Sequence, residues 1–394
     1  MEPVPPNRTP WRLVAASILV VTVATQPAFI AASTIAQAGP EIGYTAKTLG
    51  YLTAAFFLTA SASSRLVGRF VEQFGWRRAM LVNAIGAAAV LATIAMFVDS
   101  VPGLAVALII AGAFYGTANP AANLALARVI PSDRRGLIFG LKHAGIPTSS
   151  LLAGIAVPAV ALTVGWRWAF GISALLAVGV AWLIPPQNDG VRHERSTSSP
   201  ARGDMAARWL ALLSLGSAFA TVSAIALGTF HVDAALSLGF GEGAAGNILA
   251  LGSLASILAR ASYGALADRR RSDGLHWVAI LMAVGALTFA GLGYTQGGWF
   301  VVATIVGFST AWGWPGLFTF GVVQANQGRP AGSTAVTQAG IFLGAGLGPA
   351  GLGWIIDNVS YEAAWLTVAA CLTVASVLVT IVTRKGLRSE GVPA

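Results

Sequence analysis

"GRFVEQFGWRRAML", Gly68 to Leu81, sets a glycine, an acid, a second glycine and two arginines between long apolar runs. Charge is scarce in this chain, so its concentration in one short turn matters. Of 394 residues, 56% are hydrophobic and 10% charged. A soluble domain carries about 25% charged residues, so this surface cannot face water all round. Apolar runs of about 20 residues recur along the chain, each long enough as a helix to cross a hydrocarbon layer about 30 Å thick. Twelve can be read, at 12–34, 49–70, 79–98, 103–129, 137–163, 167–185, 208–231, 243–266, 275–294, 299–322, 333–357 and 362–383. Backbone groups in lipid must be satisfied within their own segment, so each run is expected to be helical. The 46 glycines suit close helix–helix approach. The expected fold class is an all-α polytopic membrane protein.

The net charge of +9 is not a nucleic-acid signal once the positions are read. With the N-terminus placed in the cytoplasm, the inner loops hold Arg8, Arg77, Arg78, Arg134, Arg135, Arg192, Arg195, Arg202, Arg269, Arg270, Arg271, Arg329, Arg384, Lys385 and Arg388. The outer loops hold only Lys47 and, at a membrane boundary, Arg167. Positive charge concentrated on one side sets orientation, and it places both termini in the cytoplasm of a bacterial-type plasma membrane. The opening "MEPVPPNRTPWRLV" lacks the pattern of a cleaved signal. Cys371 is the only cysteine and has no internal partner for a disulfide.

Residues 186–207 are polar and rich in Ser and Pro, and read as a cytoplasmic linker between a six-helix half at 1–185 and another at 208–394. The halves repeat. Gly50 and Gly246, Gly68 and Gly264, and Glu72 and Asp268 are each 196 apart; Pro120 and Pro315 are 195 apart. "HAGI" at 143–146 meets "QAGI" at 338–341 at the same 195 offset. A constant offset across several helix pairs predicts two similar halves related by an axis along the membrane normal.

The counterpart of the opening stretch is "GALADRRRSDG", Gly264 to Gly274. Together the two loops resemble those of the major facilitator superfamily. Gly68, Glu72, Gly75, Arg77 and Arg78 match in the first half; Gly264, Asp268 and Arg269 match in the second, where the later glycine is missing. Gln73 and Trp76 stand where the family usually has basic residues. The resemblance covers the whole chain. It implies twelve transmembrane helices around a central cavity and a secondary transporter working by alternating access. It also implies a conformational latch at Gly68, Glu72, Arg77, Arg78, Gly264, Asp268 and Arg269. The residues carry a physical reason of their own: glycine lets a neighbouring helix approach, and an acid at a helix end can accept from an arginine or face the positive N-terminus of another helix.

No Gly-X4-Gly-Lys-Ser/Thr nucleotide loop and no His/Cys cluster of metal-ligand spacing occurs, so neither an enzyme nor a cofactor is expected. Ionisable residues inside spans are functional candidates. They are Arg65, Lys142, His143 and Arg260, with no acid deep in a span apart from the latch residues. A site with cations and no carboxylate suits an anion. The run "ARASYGALADR" also resembles the eighth span of organic-anion and monocarboxylate-type carriers, in which an Arg four residues before the loop glycine engages substrate; Arg260 holds that place, and Ser256 stands where those carriers hold an acid. Gln26, Tyr115, Asn119, Asn123, Trp312 and Trp314 join the candidate substrate-binding set because the family lines its cavity with spans one, four, seven and ten, and Gln338 joins it as the polar repeat counterpart of His143. The expected function is uptake of a small organic anion by a monomer in the lipid bilayer, coupled to protons, with His143 as carrier because its unperturbed pKa of about 6.5 suits the task. The alternative is a proton-coupled drug or metabolite exporter. Against it, span five lacks the Gly-X3-Gly-Pro-X2-Gly-Gly signature of the family's antiporters.

Overall fold

The computed structural model describes residues 11–127, 135–186, 204–270 and 274–386. The linker residues 187–203 lie outside that set, as do the loop arginines Arg8, Arg134, Arg192, Arg195, Arg202, Arg271 and Arg388. The described chain is helical. In the first half, α1 (Trp11–Ser33) is followed by a short α2 (Ile35–Ile42), then α3 (Ala46–Phe74), α4 (Trp76–Phe97) and α5 (Val101–Ala127). The fifth crossing is composite, made of α6 (Arg135–His143), α7 (Gly145–Ala156) and a π-helical turn at Val157–Ala161; α8 (Trp166–Leu183) closes the half. In the second half come α9 (Ala207–Ser237), α10 (Glu242–Arg270) and α11 (Gly274–Leu292). The tenth crossing is split into α12 (Gly298–Thr310) and α13 (Pro315–Gln324), and α14 (Pro330–Asn358) and α15 (Tyr361–Ile381) complete the fold. Among the described residues, eleven stretches are long and apolar enough to span a membrane. The twelfth crossing is α3, whose 29 residues are ample for it.

Two crossings differ from the continuous helices the hydropathy pattern predicts. The fifth breaks at Ala144 and the tenth at residues 311–314. Pro315 sits at the first turn of α13, where its missing N–H removes no helical bond. Its repeat mate Pro120 lies inside an unbroken α5.

Polar contacts identify the two sides of the bundle. On the linker side Arg12 Nε donates to Leu183 O at 3.1 Å, and Arg77 Nε to Pro185 O at 3.1 Å. On the opposite side Arg167 Nη1 donates to Val98 O, and Glu41 accepts from Trp166 Nε1 at 2.7 Å and Arg167 Nη2 at 2.6 Å. The Trp166 hydrogen bond, then that of Arg167, holds the Glu41 carboxyl below the usual carboxylate range.

The halves meet along two seams, α3 against α14 and α10 against α6 and α7. The repeated glycines explain the first part of each. A Cβ on Gly246 would lie 2.7 Å from Gly154 O and 2.8 Å from Val157 Cβ; one on Gly50 would strike the Pro349 carbonyl and come within 3.3 Å of Gly353 Cα. No larger residue fits either crossing without moving a helix. On the side away from the linker the halves are also joined by Gln37 Nε2 to Glu242 Oε2 at 2.6 Å and Thr45 Oγ1 to Asp357 Oδ2 at 2.8 Å.

Candidate functional site

On the linker side the second-half loop glycine and acid do distinct jobs. Gly264 lies directly on the backbone of Gly136 and Leu137, so that a Cβ would sit 3.0 Å from Leu137 Cα. One turn later Asp268 accepts from the backbone N–H groups of Gly136 at 2.6 Å and Leu137 at 2.8 Å. Those are the orphan donors at the start of α6, and a carboxylate there also meets the positive end of the helix. An acid of one half thus caps a helix of the other. The first-half loop is not its mirror image. Among the described residues a Cβ on Gly68 would meet nothing within 4 Å, so they show no close approach at that glycine. The side chains of Arg65 and Glu72 lie outside the described residues. Arg77 bonds Pro185 within its own half, while Arg78 and Arg269 are exposed.

Between the seams lies a buried polar group. Lys142, 2% exposed, donates from Nζ to Asn119 Oδ1 at 2.7 Å. Asn119 Nδ2 in turn donates to the Tyr115 hydroxyl at 3.3 Å, and the Tyr115 ring stacks on Phe56 with centroids 5.4 Å apart. Lys142 therefore does not reach the linker-side water by extending along its helix; it is turned into the interior and held by the fourth crossing. Asn119 and Tyr115 are one turn apart on α5, which is why one amide can serve both.

Arg260, also 2% exposed, comes from α10 and ties the two helix breaks together. Its Nη1 donates to His143 O beside the break in the fifth crossing, and its Nη2 to Trp312 O in the break of the tenth. Breaks expose carbonyls that no helix satisfies, and a guanidinium offers a planar fork of donors. Ser256 Oγ adds a donor to Trp312 O at 3.4 Å, and Ser223 Oγ bonds Ala311 O at 3.1 Å. The Arg260 Nε is buried and unpartnered. The geometry thus narrows the expected counter-charge role of Arg260, because two of its nitrogens are committed to the backbone.

His143 lies on the seam between halves, with Nε2 3.3 Å from Thr319 Oγ1 of α13. Gln26 is buried beside Pro27 and neither amide atom has a partner. Trp312 packs between Phe308, with centroids 5.2 Å apart, and Phe29 at 6.0 Å. Trp314 is 1% exposed, edge-on to Phe318, with its indole N–H unpartnered. Two expected residues stand outside this buried group: Asn123 is exposed and Gln338, on α14, is half-buried. Asn123 is one turn beyond Asn119, where α5 emerges from the interior. Sequence reasoning passed over two of the hydroxyls that complete the centre, Ser223 and Thr319, and singled out Ser256 only as the place where similar carriers hold an acid. Their signal was faint, since a serine or threonine in an apolar span more often returns its hydroxyl to its own helix.

Among the described residues, no carboxylate lies within ion-pair distance of Lys142 or Arg260, and no group of His, Cys, Asp and Glu could hold a metal. The arrangement is a buried, cation-bearing polar centre bounded by two broken helices.

Comparison with known proteins agrees. The chain is similar over part of its length to a D-xylose transporter of Levilactobacillus brevis, 31% identical over 32% of this chain and 28% of that one. It is 31% identical to a probable sulfoacetate transporter of Cupriavidus necator over 36% of this chain and 33% of that protein. An MFS-type transporter of Mycobacterium tuberculosis is 26% identical over 44% of this chain and 29% of its own. The matched region spans about a third of the length of each relative. The family model described as Major Facilitator Superfamily matches residues 14–326, most of both halves. Twelve helical crossings in two halves, a polar centre at their seams and that match lead to one conclusion: the chain belongs to the Major Facilitator Superfamily.

Proposed function

We propose that this transporter carries a small organic anion. One observation supports the reading above the others: Lys142 and Arg260 are both buried at the centre, from opposite halves, without a carboxylate beside them among the described residues. Removing an ion from water costs several kcal/mol even after relaxation. Two like charges in one interior add to that cost, and an anionic solute lowers it. The Asn119 carbonyl holds the Lys142 ammonium but supplies no negative charge. Substrate arriving between the halves would bridge two groups that otherwise repel, which favours the state in which both seams are closed. A relative named a probable sulfoacetate transporter fits this reading, while the D-xylose relative keeps neutral solutes in view.

Uptake coupled to protons is the second element of the proposal. Imidazole is the side chain whose unperturbed range lies nearest neutrality, and the His143 ring meets Thr319 of the other half. Orientation with both termini in the cytoplasm follows from the distribution of arginines.

The test is a thermal-shift screen of purified protein against carboxylates, amphipathic cations and sugars. Carboxylates should raise the melting temperature, and Lys142→Gln should abolish that shift while leaving the ligand-free value within a few degrees. Stabilisation by cations alone, or a carboxylate shift that survives Lys142→Gln, would remove the anion assignment. Proteoliposome uptake blind to a protonophore and to His143→Gln would remove the proton.

A further inference from the structure

The centre contains a second set of polar groups that the two cations do not use. Gln26 on α1 has both amide atoms buried and unpartnered, and so are the hydroxyls of Ser149 and Ser150 on α7 and of Ser253 on α10. All three serines are fully buried. A helical serine or threonine ordinarily returns its hydroxyl to a carbonyl one turn back. Thr22, Thr148 and Ser217 do so in this protein, while these three serines do not. A buried polar group left without a partner is destabilising, so a set of them is a persistent cost unless a ligand meets them.

Their helices place them in one layer. Thr22 Oγ1 donates to Gly145 O at 3.0 Å, and a Cβ on Gly145 would lie 2.7 Å from Ile18 O, which sets α1 and α7 side by side with Thr22 level with Gly145. One turn further on, Gln26 is level with Ser149. The helix α10 runs the other way: the Arg260 backbone lies on Gly140, and a Cβ on Gly154 would be 2.9 Å from Ala250 N. Ser253 therefore falls between those two crossings, at the depth of Ser149 and Ser150. This layer is one turn, about 6 Å, beyond the level of Gly145, near which Arg260 reaches His143 O.

We infer that the solute is a polyhydroxy carboxylate. Its carboxylate lies toward Lys142 and the free Nε of Arg260, and its hydroxyl groups meet Gln26, Ser149, Ser150 and Ser253. An extended chain advances about 1.2 Å per bond, so about 6 Å corresponds to five bonds, the length of a six-carbon acid. Hydroxyls both donate and accept, which is what an amide and three serines can each answer. A hydrocarbon chain in the same place would leave all of them unpartnered, and sites built around buried polar groups reject analogues that lack the matching group. The inference rests on the anion reading of Lys142 and Arg260.

Isothermal titration of the purified full-length protein with D-gluconate, n-hexanoate and D-glucitol tests it. Gluconate should bind at least tenfold more tightly than hexanoate, and more tightly than glucitol. Gln26→Ala, and separately Ser149→Ala with Ser253→Ala, should each weaken gluconate about tenfold and leave hexanoate unchanged. The serine variants should keep or raise the melting temperature, because they remove orphan hydroxyls rather than bonds. Hexanoate matching gluconate, or variants that weaken both acids equally, overturns the hydroxyl layer and leaves the anion reading standing. Glucitol matching gluconate overturns the anion reading instead. Binding of none of the three overturns the proposal.

Discussion

Replacing Asp268 should open the linker side of the transporter. The carboxylate accepts two backbone N–H groups of the opposite half, at 2.6 and 2.8 Å, and no other described contact caps the start of α6. A hydrogen bond to a charged group is worth about 1.5–3 kcal/mol, and a carboxylate at a helix N-terminus about 0.3–2 kcal/mol, the lower values applying where water screens it. Asp268 is half-buried, so a net contribution of about 2 kcal/mol to the closed arrangement is reasonable for Asp268→Ala. At about 1.4 kcal/mol per tenfold, the closed-to-open ratio should fall by about 30-fold. Asp268→Asn keeps one acceptor oxygen and loses the charge, so it should shift the ratio by about half as much on a logarithmic scale. The measurement is a spin-label distance between Arg78→Cys and Arg269→Cys, both exposed and in opposite halves, in a Cys371→Ser background. The wild type should give one main distance, and Asp268→Ala a second, longer population that dominates. A distance distribution unchanged by Asp268→Ala, in a protein that remains monodisperse, would refute the claim that this carboxylate holds the halves together.

Other outcomes follow from the same packing. Gly264→Leu should mimic Asp268→Ala, because any side chain there meets the Gly136–Leu137 backbone, whereas Gly68→Ala should leave transport intact since that position has open space; a Gly68→Ala variant as impaired as Gly264→Leu in proteoliposome uptake would contradict this. Gly246→Val should lower the melting temperature by the equivalent of about 1–3 kcal/mol, the usual cost of overpacking, as its branches have only Gly154 O and Val157 to occupy. Arg260→Lys should be destabilising as well as inactive, because one ammonium cannot span the carbonyls of both His143 and Trp312; retention of wild-type melting temperature would show that the helix breaks do not need the fork. The Glu41 carboxyl is held below its unfolded value, so its tie to Trp166 and Arg167 adds stability above about pH 4 and loses it as pH falls through the folded value. Glu41→Gln should therefore flatten the acid limb of a melting-temperature profile, and an unaltered limb would show that the half-exposed pair contributes nothing.

What the sequence determined by itself is whatever lipid imposes locally. A segment in hydrocarbon has to be apolar, about 20 residues long and helical, so the crossings are written in composition alone, and the 195–196 offset carries the two-half plan without any knowledge of contacts. The pair of Lys142 and Arg260 also stood out, because an ion in an apolar run is conspicuous wherever it points. Only the tertiary structure decided what those ions do. Lys142 and Asn119 are 23 residues apart, and nothing in either helix announces that one ammonium will find the other's carbonyl. Arg260 turned out to serve two helix breaks that hydropathy cannot reveal, since a broken apolar helix and a continuous one have the same composition. The two loop glycines look equivalent in the repeat, yet Gly264 lies on a backbone while Gly68 meets none of the described residues. Close packing is a property of pairs of surfaces, and the second surface comes from residues the repeat does not relate to the first.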